Sequence, residues 1–171
     1  MLVCPVCSSL LEQEDKTLKC KNNHSFDRAK QGYFNLLLNN AKKSKSPGDN
    51  ADMVLARQQF LDAGLYQSIS DTVNQIAIEH LWQRPAPAIL DLACGEGYYT
   101  QQLAWALNDH QIHHTLYGLD ISKDAIKAGC RRTKDINWLV ANGFKAPFRD
   151  HSLDCIVNMF NRVNSEALHK L

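Results

Sequence analysis

The chain has 171 residues, a hydrophobic fraction of 44% and a formal net charge of +1. This composition supports a packed core rather than intrinsic disorder, and the near-neutral charge indicates no electrostatic partner for the chain as a whole. Six cysteines and no secretory leader favour reduced thiols and a cytoplasmic location. No apolar run reaches the ~18 residues that span a bilayer, so no membrane partner is expected.

Two closely spaced pairs of metal-binding side chains lie near the N-terminus. Two residues separate Cys4 from Cys7, three separate Cys20 from His24, and twelve separate the pairs. Three thiols and one imidazole complete a tetrahedral zinc site and leave no position for a reactive water, so a structural Zn²⁺ is predicted. A segment of about 40 residues buries too little apolar surface to be stable alone, so a bound metal would stabilise its fold. The alternative is a redox-active Cys4–Cys7 pair.

The segment that follows is polar and basic. Residues 1–46 hold eight Lys and Arg against four Asp and Glu, and Lys42, Lys43 and Lys45 precede a Pro-Gly turn. This modest excess is compatible with contacts to a phosphate backbone, and also with a solvated linker.

Two helices are predicted before residue 85. Asp49 or Asn50 is expected to cap the first helix and Gly64 to end it, while the second begins near Ser68 or Ser70. The apolar stripes predicted to face the core are Met53, Ala56, Phe60 and Ala63, then Ile69, Val73, Ile76 and Leu81.

Strands and helices alternate from Ala88 onwards. The strands AILDLA, TLYGLD, INWLV and LDCIVNMF are separated by helical segments, which predicts an α/β fold with a parallel sheet. The chain stops after the fourth strand, so it is expected to hold only part of the domain, because a parallel sheet buries both faces. The predicted units are a zinc-binding domain at 1–40, a basic linker with two helices at 41–84, and the N-terminal part of a cofactor-binding domain at 85–171.

The loop in ILDLACGEGYYT is a candidate cofactor site. Gly95 and Gly97 allow a sharp turn and close approach of a ligand to the backbone. A dinucleotide fingerprint would need glycine where Thr100 stands, and no P-loop lysine follows. Asp91 and Glu96 suit a ligand that carries an ammonium and a sulfonium, and would repel a pyrophosphate.

The next strand ends in a further acid. Asp120 stands where an acidic residue binds a ribose diol. Together with the loop, it points to S-adenosylmethionine as the cofactor. The alternative for each acid taken alone is a helix cap or a solvated loop charge.

The cofactor motifs resemble those of class I S-adenosylmethionine-dependent methyltransferases, through D-x-x-C-G-x-G and Y-G-L-D-I-S. The whole chain resembles the RlmA-type family, zinc-containing guanine-N1 methyltransferases of large-subunit (23S) rRNA. This resemblance is carried in order by C-P-x-C, C-x₃-H-x-F-D, K-x-G-Y-x-N-L-L, P-G-D-x-x-x-M, A-R-x-x-F-L-D-x-G-x-Y and C-G-E-G-Y-Y-T. It implies a Rossmann-like methyltransferase domain, incomplete here, preceded by a small zinc-ribbon domain.

The resemblance also implies roles for individual residues. The family's zinc ligands match Cys4, Cys7, Cys20 and His24. Its cofactor contacts match Tyr66, Gly95, Glu96, Asp120 as the ribose-binding acid, and Asn142 beside the adenine, with Gly143 and Phe144 as the alternatives to Asn142. One departure is Ala93, which stands where many relatives carry glycine.

The implied reaction is methylation of guanine N1 in an rRNA hairpin, with the zinc module helping to recognise the RNA. N1 lies on the Watson–Crick edge and carries a proton, so the base must be unpaired and the proton removed. Asp49, in the PGD turn, is the predicted general base, and a helix N-cap is its alternative role. The resemblance leaves a homodimer open. The alternative functions are a small-molecule methyltransferase and an inactive zinc- and RNA-binding fragment.

Overall fold

A computed structural model describes residues 1–39, 44, 47–162 and 165–171 of the chain. The predicted RNA-contacting lysines Lys42, Lys43 and Lys45 lie outside these residues. Among the described residues, no helix combines the length and apolar character needed to cross a membrane.

The N-terminal domain is a small antiparallel sheet. Its strands are β1 (Leu11–Glu14), β2 (Thr17–Cys20) and β3 (Ser25–Asp27), paired in the order β1-β2-β3. Leu11 and Leu18 are buried on one side of this sheet. The strands are so short that side-chain alternation alone gives little core, as expected for a metal-stabilised ribbon.

Two helices follow, α1 (Ala51–Asp62) and α2 (Gln67–Leu81). Asn50 is the N-cap of α1, since its side-chain Oδ1 accepts a hydrogen bond from the Met53 amide at 3.0 Å. The capping role left open between Asn50 and Asp49 therefore belongs to Asn50. Gly64 adopts a φ of +77°, the left-handed conformation that ends the first helix.

The apolar stripe of α1 that was predicted to face the core is wrong. Val54 and Leu61 are buried, whereas Met53 and Phe60 are 51% and 45% exposed. The helix is rotated because Val54 packs against two small residues of the neighbouring helix, Ala125 and Ala128, a tertiary contact that apolar spacing does not encode.

The stripe predicted for α2 is also wrong in part. Leu81 is fully buried, but Ile76 is 62% exposed, and the buried positions beside Leu81 are Ser70, Asn74 and Ala77. Small and polar side chains occupy the buried face of α2. The stripe of apolar residues in the sequence therefore predicted a face that is rotated by one residue from the buried one.

The main sheet has five parallel strands. They are β4 (Phe34–Asn35), β5 (Ala88–Leu92), β6 (Thr115–Asp120), β7 (Asn137–Val140) and β8 (Cys155–Val157), in the order β4-β7-β6-β5-β8. The remaining elements are α3 (Tyr98–Asp109), α4 (Lys123–Arg132), a 3₁₀ turn at Gly143–Lys145, and α5 (Ser165–Leu168). The predicted α/β class and parallel sheet are confirmed.

The edge strand β4 was not predicted. It belongs to the N-terminal segment and pairs in parallel with β7, where Phe34 lies opposite Leu139 and Asn35 opposite Val140. The Leu36 amide continues the ladder to the Val140 carbonyl at 2.8 Å. Two residues are too short for a periodic signal, so only the tertiary structure reveals that the N-terminal segment extends the main sheet.

The two faces of the main sheet are covered by different parts of the chain. One face carries Ile89 and Trp138 into a core with helix residues such as Leu103. The other face carries Leu90 and Leu139 into a second cluster, which also contains residues from the zinc ribbon and its flanking segments: Leu2, Cys4, Leu11, Leu18, Cys20, Phe34 and Leu36. The ribbon thus covers a face that a parallel sheet must bury.

Candidate functional site

The four predicted zinc ligands converge. The Sγ atoms of Cys4, Cys7 and Cys20 and a ring nitrogen of His24 all lie within 4.8 Å of one another. The Cys7 and Cys20 sulfurs are 3.7 Å apart, and His24 Nδ1 is 3.6 Å from Cys4 Sγ and 3.4 Å from Cys20 Sγ. Zinc–sulfur bonds of about 2.3 Å give a tetrahedron with sulfur–sulfur edges of about 3.8 Å. The donor set therefore fits Zn²⁺.

Two tight turns position these ligands. The Cys4 carbonyl accepts from the Ser8 amide at 2.8 Å, and the Cys20 carbonyl accepts from the Asn23 amide at 2.9 Å. Ser8 and Asn23 both adopt left-handed φ values, +59° and +61°, which close the turns. A hydrogen bond from the Ser9 backbone is the main influence that lowers the pKa of Cys7 to about 5, so its thiolate is available to a metal at neutral pH.

A cavity of about 550 Å³ lies at the carboxyl ends of the central strands. Ligands of open α/β sheets bind at this edge. The cavity collects, from separate parts of the chain, seven residues predicted as functional: Asp49, Tyr66, Asp91, Gly95, Glu96, Asp120 and Asn142.

Gly97 is the predicted cofactor residue that lies behind the cavity rather than in its lining. It adopts a φ of +84° at the start of α3, and a Cβ there would meet the buried ring of Trp138 at 2.5 Å. Its fold-level role is thus to let the loop pass over Trp138. A contact of Gly97 with the cofactor stays a prediction.

Asp120 holds the cofactor loop by hydrogen bonds. Its Oδ2 accepts from the Gly95 amide at 2.9 Å, and its Oδ1 accepts from the Ser122 amide at 2.7 Å. Burial raises the pKa of this carboxyl, while the two amides favour the charged form. A carboxylate has about four acceptor sites, so Asp120 retains acceptor capacity for a ligand hydroxyl at the cavity.

Glu96 presents an unsatisfied acceptor. The side chain is buried, and its Oε2 forms an ion pair with the Nε of Arg132, which in turn binds Asp62 at 2.8 Å. The other oxygen, Oε1, has no hydrogen-bond partner among the described residues. A buried acceptor without a partner is costly, and a cationic donor such as the cofactor's ammonium would satisfy it.

Asp91 is buried at the end of β5 with one strong partner. Its Oδ2 accepts a hydrogen bond from the Thr100 hydroxyl at 2.6 Å. Burial raises the pKa of Asp91 to about 7, and the nearby Asp120 carboxylate adds to the rise. The charge of Asp91 therefore changes near neutral pH.

This pKa predicts a pH-dependent stability difference between the protein and Asp91→Asn. The pKa of Asp91 is 3.8 in the unfolded chain and about 7 in the folded protein, so between these pH values the folded state binds one more proton. This contribution to the free energy of unfolding is fully present below pH 3.8 and is lost as the pH rises to 7. We expect Asp91→Asn to gain about 4 kcal/mol in free energy of unfolding relative to the parent between pH 4 and 8. Urea unfolding across that range measures the gain. A stability difference between Asp91→Asn and the parent that stays constant across that pH range would contradict the expectation.

Asp49 lines the cavity from the turn before α1. Its carboxylate pairs with Arg57 at 2.8 Å, and its carbonyl accepts from the Ser122 hydroxyl at 2.5 Å. The turn can approach this closely because a Cβ on Gly48 would lie only 2.8 Å from Ser122 Cβ. The PGD turn is thus fixed against the cofactor domain through Gly48, and it places Asp49 at the same cavity as the cofactor loop.

Comparison with known proteins identifies both halves of the chain. Residues 2–45 match the zinc-ribbon model described as "RlmA, N-terminal", and residues 89–171 match a model described as "Methyltransferase domain". A 23S rRNA (guanine(748)-N(1))-methyltransferase of Streptomyces fradiae is 31% identical over 171 residues, 99% of this chain and 59% of that protein. The chain belongs to the RlmA-type methyltransferase family.

Other comparisons agree with this family. A Bacillus subtilis protein named as a candidate 23S rRNA guanine-N1 methyltransferase is 30% identical over 175 residues, 100% of this chain and 60% of that protein. A solved S-adenosyl-L-methionine-dependent methyltransferase fold from Methanococcus maripaludis superposes with a TM-score of 0.59 at 15% identity, covering 75% of this chain and 62% of that one. The RlmA-type chain thus spans about 60% of the length of these curated relatives.

The family assignment fixes the type of each half. The N-terminal domain of this RlmA-type chain is a zinc ribbon, and its second half is a methyltransferase domain of the S-adenosylmethionine-dependent class. The predicted cofactors, S-adenosylmethionine and structural Zn²⁺, agree with these two folds and with the convergent Cys/His cluster.

Sequence reasoning missed two cations of the RlmA-type site. Arg132 and Arg57 pair with Glu96 and Asp49, which lie 36 and eight positions away in the chain. Arg57 is inside the A-R-x-x-F-L-D motif that carried the resemblance, so a signal for it existed. No local signal marked Arg132, since a basic residue in the last turn of a helix is ordinary.

Proposed function

We propose that the protein uses S-adenosylmethionine to methylate N1 of a guanine in a hairpin of 23S rRNA. The observation that carries this proposal is that relatives named for that reaction align with 99–100% of the chain. The aligned region includes both the zinc ribbon and the methyltransferase domain. The acidic, partly apolar cavity supports it, because it suits a cationic cofactor that carries a flat nucleoside. A cytoplasmic location and contact with ribosomal RNA are parts of the same proposal.

The residues of the cavity divide the work of such a transfer. S-adenosylmethionine, when bound, supplies an electrophilic methyl group. Asp120 would accept hydrogen bonds from ribose hydroxyls, and Glu96 would accept one from the ammonium. Tyr66 and Asn142 line the same cavity, where they would contact the remainder of the cofactor. Catalysis then depends mainly on holding the acceptor nitrogen in line with the methyl group and excluding water.

Asp49 is our proposed acceptor of the N1 proton. It does not cap α1, it lines the cavity, and its pairing with Arg57 holds the carboxylate at the cavity wall. We expect Asp49→Asn to lower kcat by about 10²–10⁴-fold, the usual contribution of a general base, with little change in cofactor affinity. Single-turnover kinetics at saturating cofactor check the assignment, because the loss should fall on the transfer step. Near-normal turnover of Asp49→Asn would remove Asp49 from this role.

The proposed reaction has a direct test. Methyl groups from labelled S-adenosylmethionine are followed into unmodified ribosomal RNA, and the product is mapped by reverse transcription. N1-methylation blocks base pairing, so the polymerase should stop next to one guanine. Cofactor binding without any such stop would contradict the RNA reaction and favour a small-molecule acceptor, the second function considered from the sequence.

The zinc ribbon is proposed to help select the RNA. Ribbon residues Lys19 and Lys21 are exposed or half-exposed and lie outside the hydrophobic cluster against the main sheet. We expect the double charge reversal Lys19→Glu/Lys21→Glu to raise KM for RNA several-fold and to leave the cofactor dissociation constant unchanged. Lys127→Glu, on the helix α4, is a single charge-reversal control outside the ribbon, to be compared with Lys19→Glu and Lys21→Glu taken singly. A homodimer stays a prediction for light scattering to check.

A further inference from the structure

Four aromatic side chains line the cavity and contact one another in sequence. The ring centroids of Phe60 and Tyr66 are 5.2 Å apart, those of Tyr66 and Phe160 are 5.8 Å apart, and those of Phe160 and Tyr99 are 6.2 Å apart. These four residues are called the aromatic row. They come from α1, the turn before α2, α3 and the segment after β8, so the tertiary fold assembles the row.

Phe160 is the unusual member of the aromatic row. Its side chain is 73% exposed, the highest exposure among the large hydrophobic residues of the described chain. Its backbone φ is +56°, a left-handed conformation that glycine adopts readily and bulky residues adopt rarely. Strain of this kind clusters at ligand-binding sites, where it fixes the direction of a side chain. Core packing accounts for neither feature.

The aromatic row also carries an unsatisfied polar group. The Tyr99 hydroxyl is inaccessible to solvent and has no hydrogen-bond partner among the described residues. The Oδ1 atom of Asn158, two residues before Phe160, is likewise buried without a partner there. A hydroxyl can both donate and accept, so the flat rings that line the cavity include one hydrogen-bonding group, the Tyr99 hydroxyl, that lacks a partner among the described residues. Such a combination is typical of nucleobase sites.

We propose that Phe160 and Tyr99 of the aromatic row hold the acceptor base, with the guanine stacked on Phe160, while Tyr66 joins this end of the row to the cofactor. This inference rests on the proposed function and specifies where the base is held. Phe160, Tyr66 and Tyr99 share one cavity with Gly95 and Glu96, so a base stacked there is held beside the cofactor loop. Stacking tolerates any base, and hydrogen bonds such as one from Tyr99 would then favour guanine over other bases.

The test uses the base without the RNA. Protein saturated with S-adenosylhomocysteine is titrated with guanosine 5′-monophosphate, and with ribose 5′-phosphate as the ligand control, while NMR saturation transfer to the base H8 is followed. We expect the parent to bind the nucleotide and Phe160→Leu to bind it at least about fivefold more weakly, the lower end of the stacking effect. Phe160→Tyr should retain binding because it retains the ring.

A control variant and a cofactor titration complete the test. Leu65→Ala should match the parent, because Leu65 is 65% exposed near the row but does not line the cavity. Cofactor affinity should be equal in Phe160→Leu and the parent. Absence of nucleotide binding in the parent, equal binding in Phe160→Leu, or a loss of cofactor affinity in that variant would each overturn the proposal.

The two proposals fail separately. Nucleotide binding that depends on Phe160, together with no methylation of any ribosomal RNA, would sink the proposed reaction and leave the base site standing. Methylation of ribosomal RNA with a KM that Phe160→Leu does not change would retain the reaction and reject this end of the aromatic row as its base site.

Discussion

Loss of zinc will unfold the ribbon and destabilise the methyltransferase half with it. Structural zinc sites have apparent binding free energies of about 10–16 kcal/mol, which equals or exceeds the stability of a typical domain. We expect a strong chelator to release one equivalent of zinc per chain and to lower the thermal midpoint of unfolding. Cys20→Ser should lack zinc and show a similarly lowered midpoint. Far-UV circular dichroism and a colorimetric zinc assay measure the two effects.

The matched control for the zinc prediction is Cys155→Ala. Cys155 is a free, half-buried thiol in β8, distant in sequence from the four ligands. Its replacement should leave zinc content at one equivalent. A chain that lacks zinc, carries a Cys4–Cys7 disulfide and keeps its melting temperature under chelation would contradict the structural-zinc site and support a redox pair.

Replacement of Arg132 will uncouple the cofactor loop. Arg132 is 10% exposed, and it pairs with Glu96, which is 1% exposed, and with Asp62. Removing one partner of a buried ion pair leaves a buried charge and costs about 3–5 kcal/mol. We therefore expect Arg132→Met to lower the free energy of unfolding by that amount and to weaken binding of S-adenosylmethionine, because Glu96 loses the contact that orients it.

The pH dependence of Arg132→Met has a definite sign. Burial raises the pKa of Glu96, and the Arg132 hydrogen bond and charge oppose that rise. Without Arg132 the pKa rises further, so the variant should lose more stability as pH increases and recover towards the parent in acid. Urea unfolding at several pH values, with calorimetry of cofactor binding, gives both readouts.

Two further variants distinguish a lost charge pair from general damage. Asp62→Asn keeps the contact between Arg132 and Glu96, so it should have a small effect because Asp62 is 45% exposed. The double variant Arg132→Met/Glu96→Gln removes both charges and should recover much of the stability lost in Arg132→Met. Equal losses in all three variants would reject the ion pair as the cause.

The parts of the structure that local signals encode were predictable. Alternating strands and helices specified a parallel sheet, and the Cys4, Cys7, Cys20 and His24 spacing specified four ligands that the structure brings together. These features are local because ligand pairs lie on single turns, and because buried strands are continuous apolar runs.

The parts that depend on distant contacts were not predictable. The buried face of α1 is set by Val54 against α4, and β4 is too short to carry a pattern. The pairing of Arg132 with Glu96 and the aromatic row around Phe160 join residues remote in sequence. A propensity or a spacing rule sees only neighbours in the chain, so such contacts require the folded structure.

The shared hydrophobic cluster between ribbon and sheet has a consequence for protein engineering. Leu2, Leu11 and Leu18 pack with Leu90 and Leu139, and β4 completes the edge of the main sheet. A chimaera that receives a foreign ribbon would therefore expose one face of the main sheet unless it also inherits these contacts. Exchange of a ribbon between relatives should preserve the fold when residues 1–39 and their apolar partners are transplanted together.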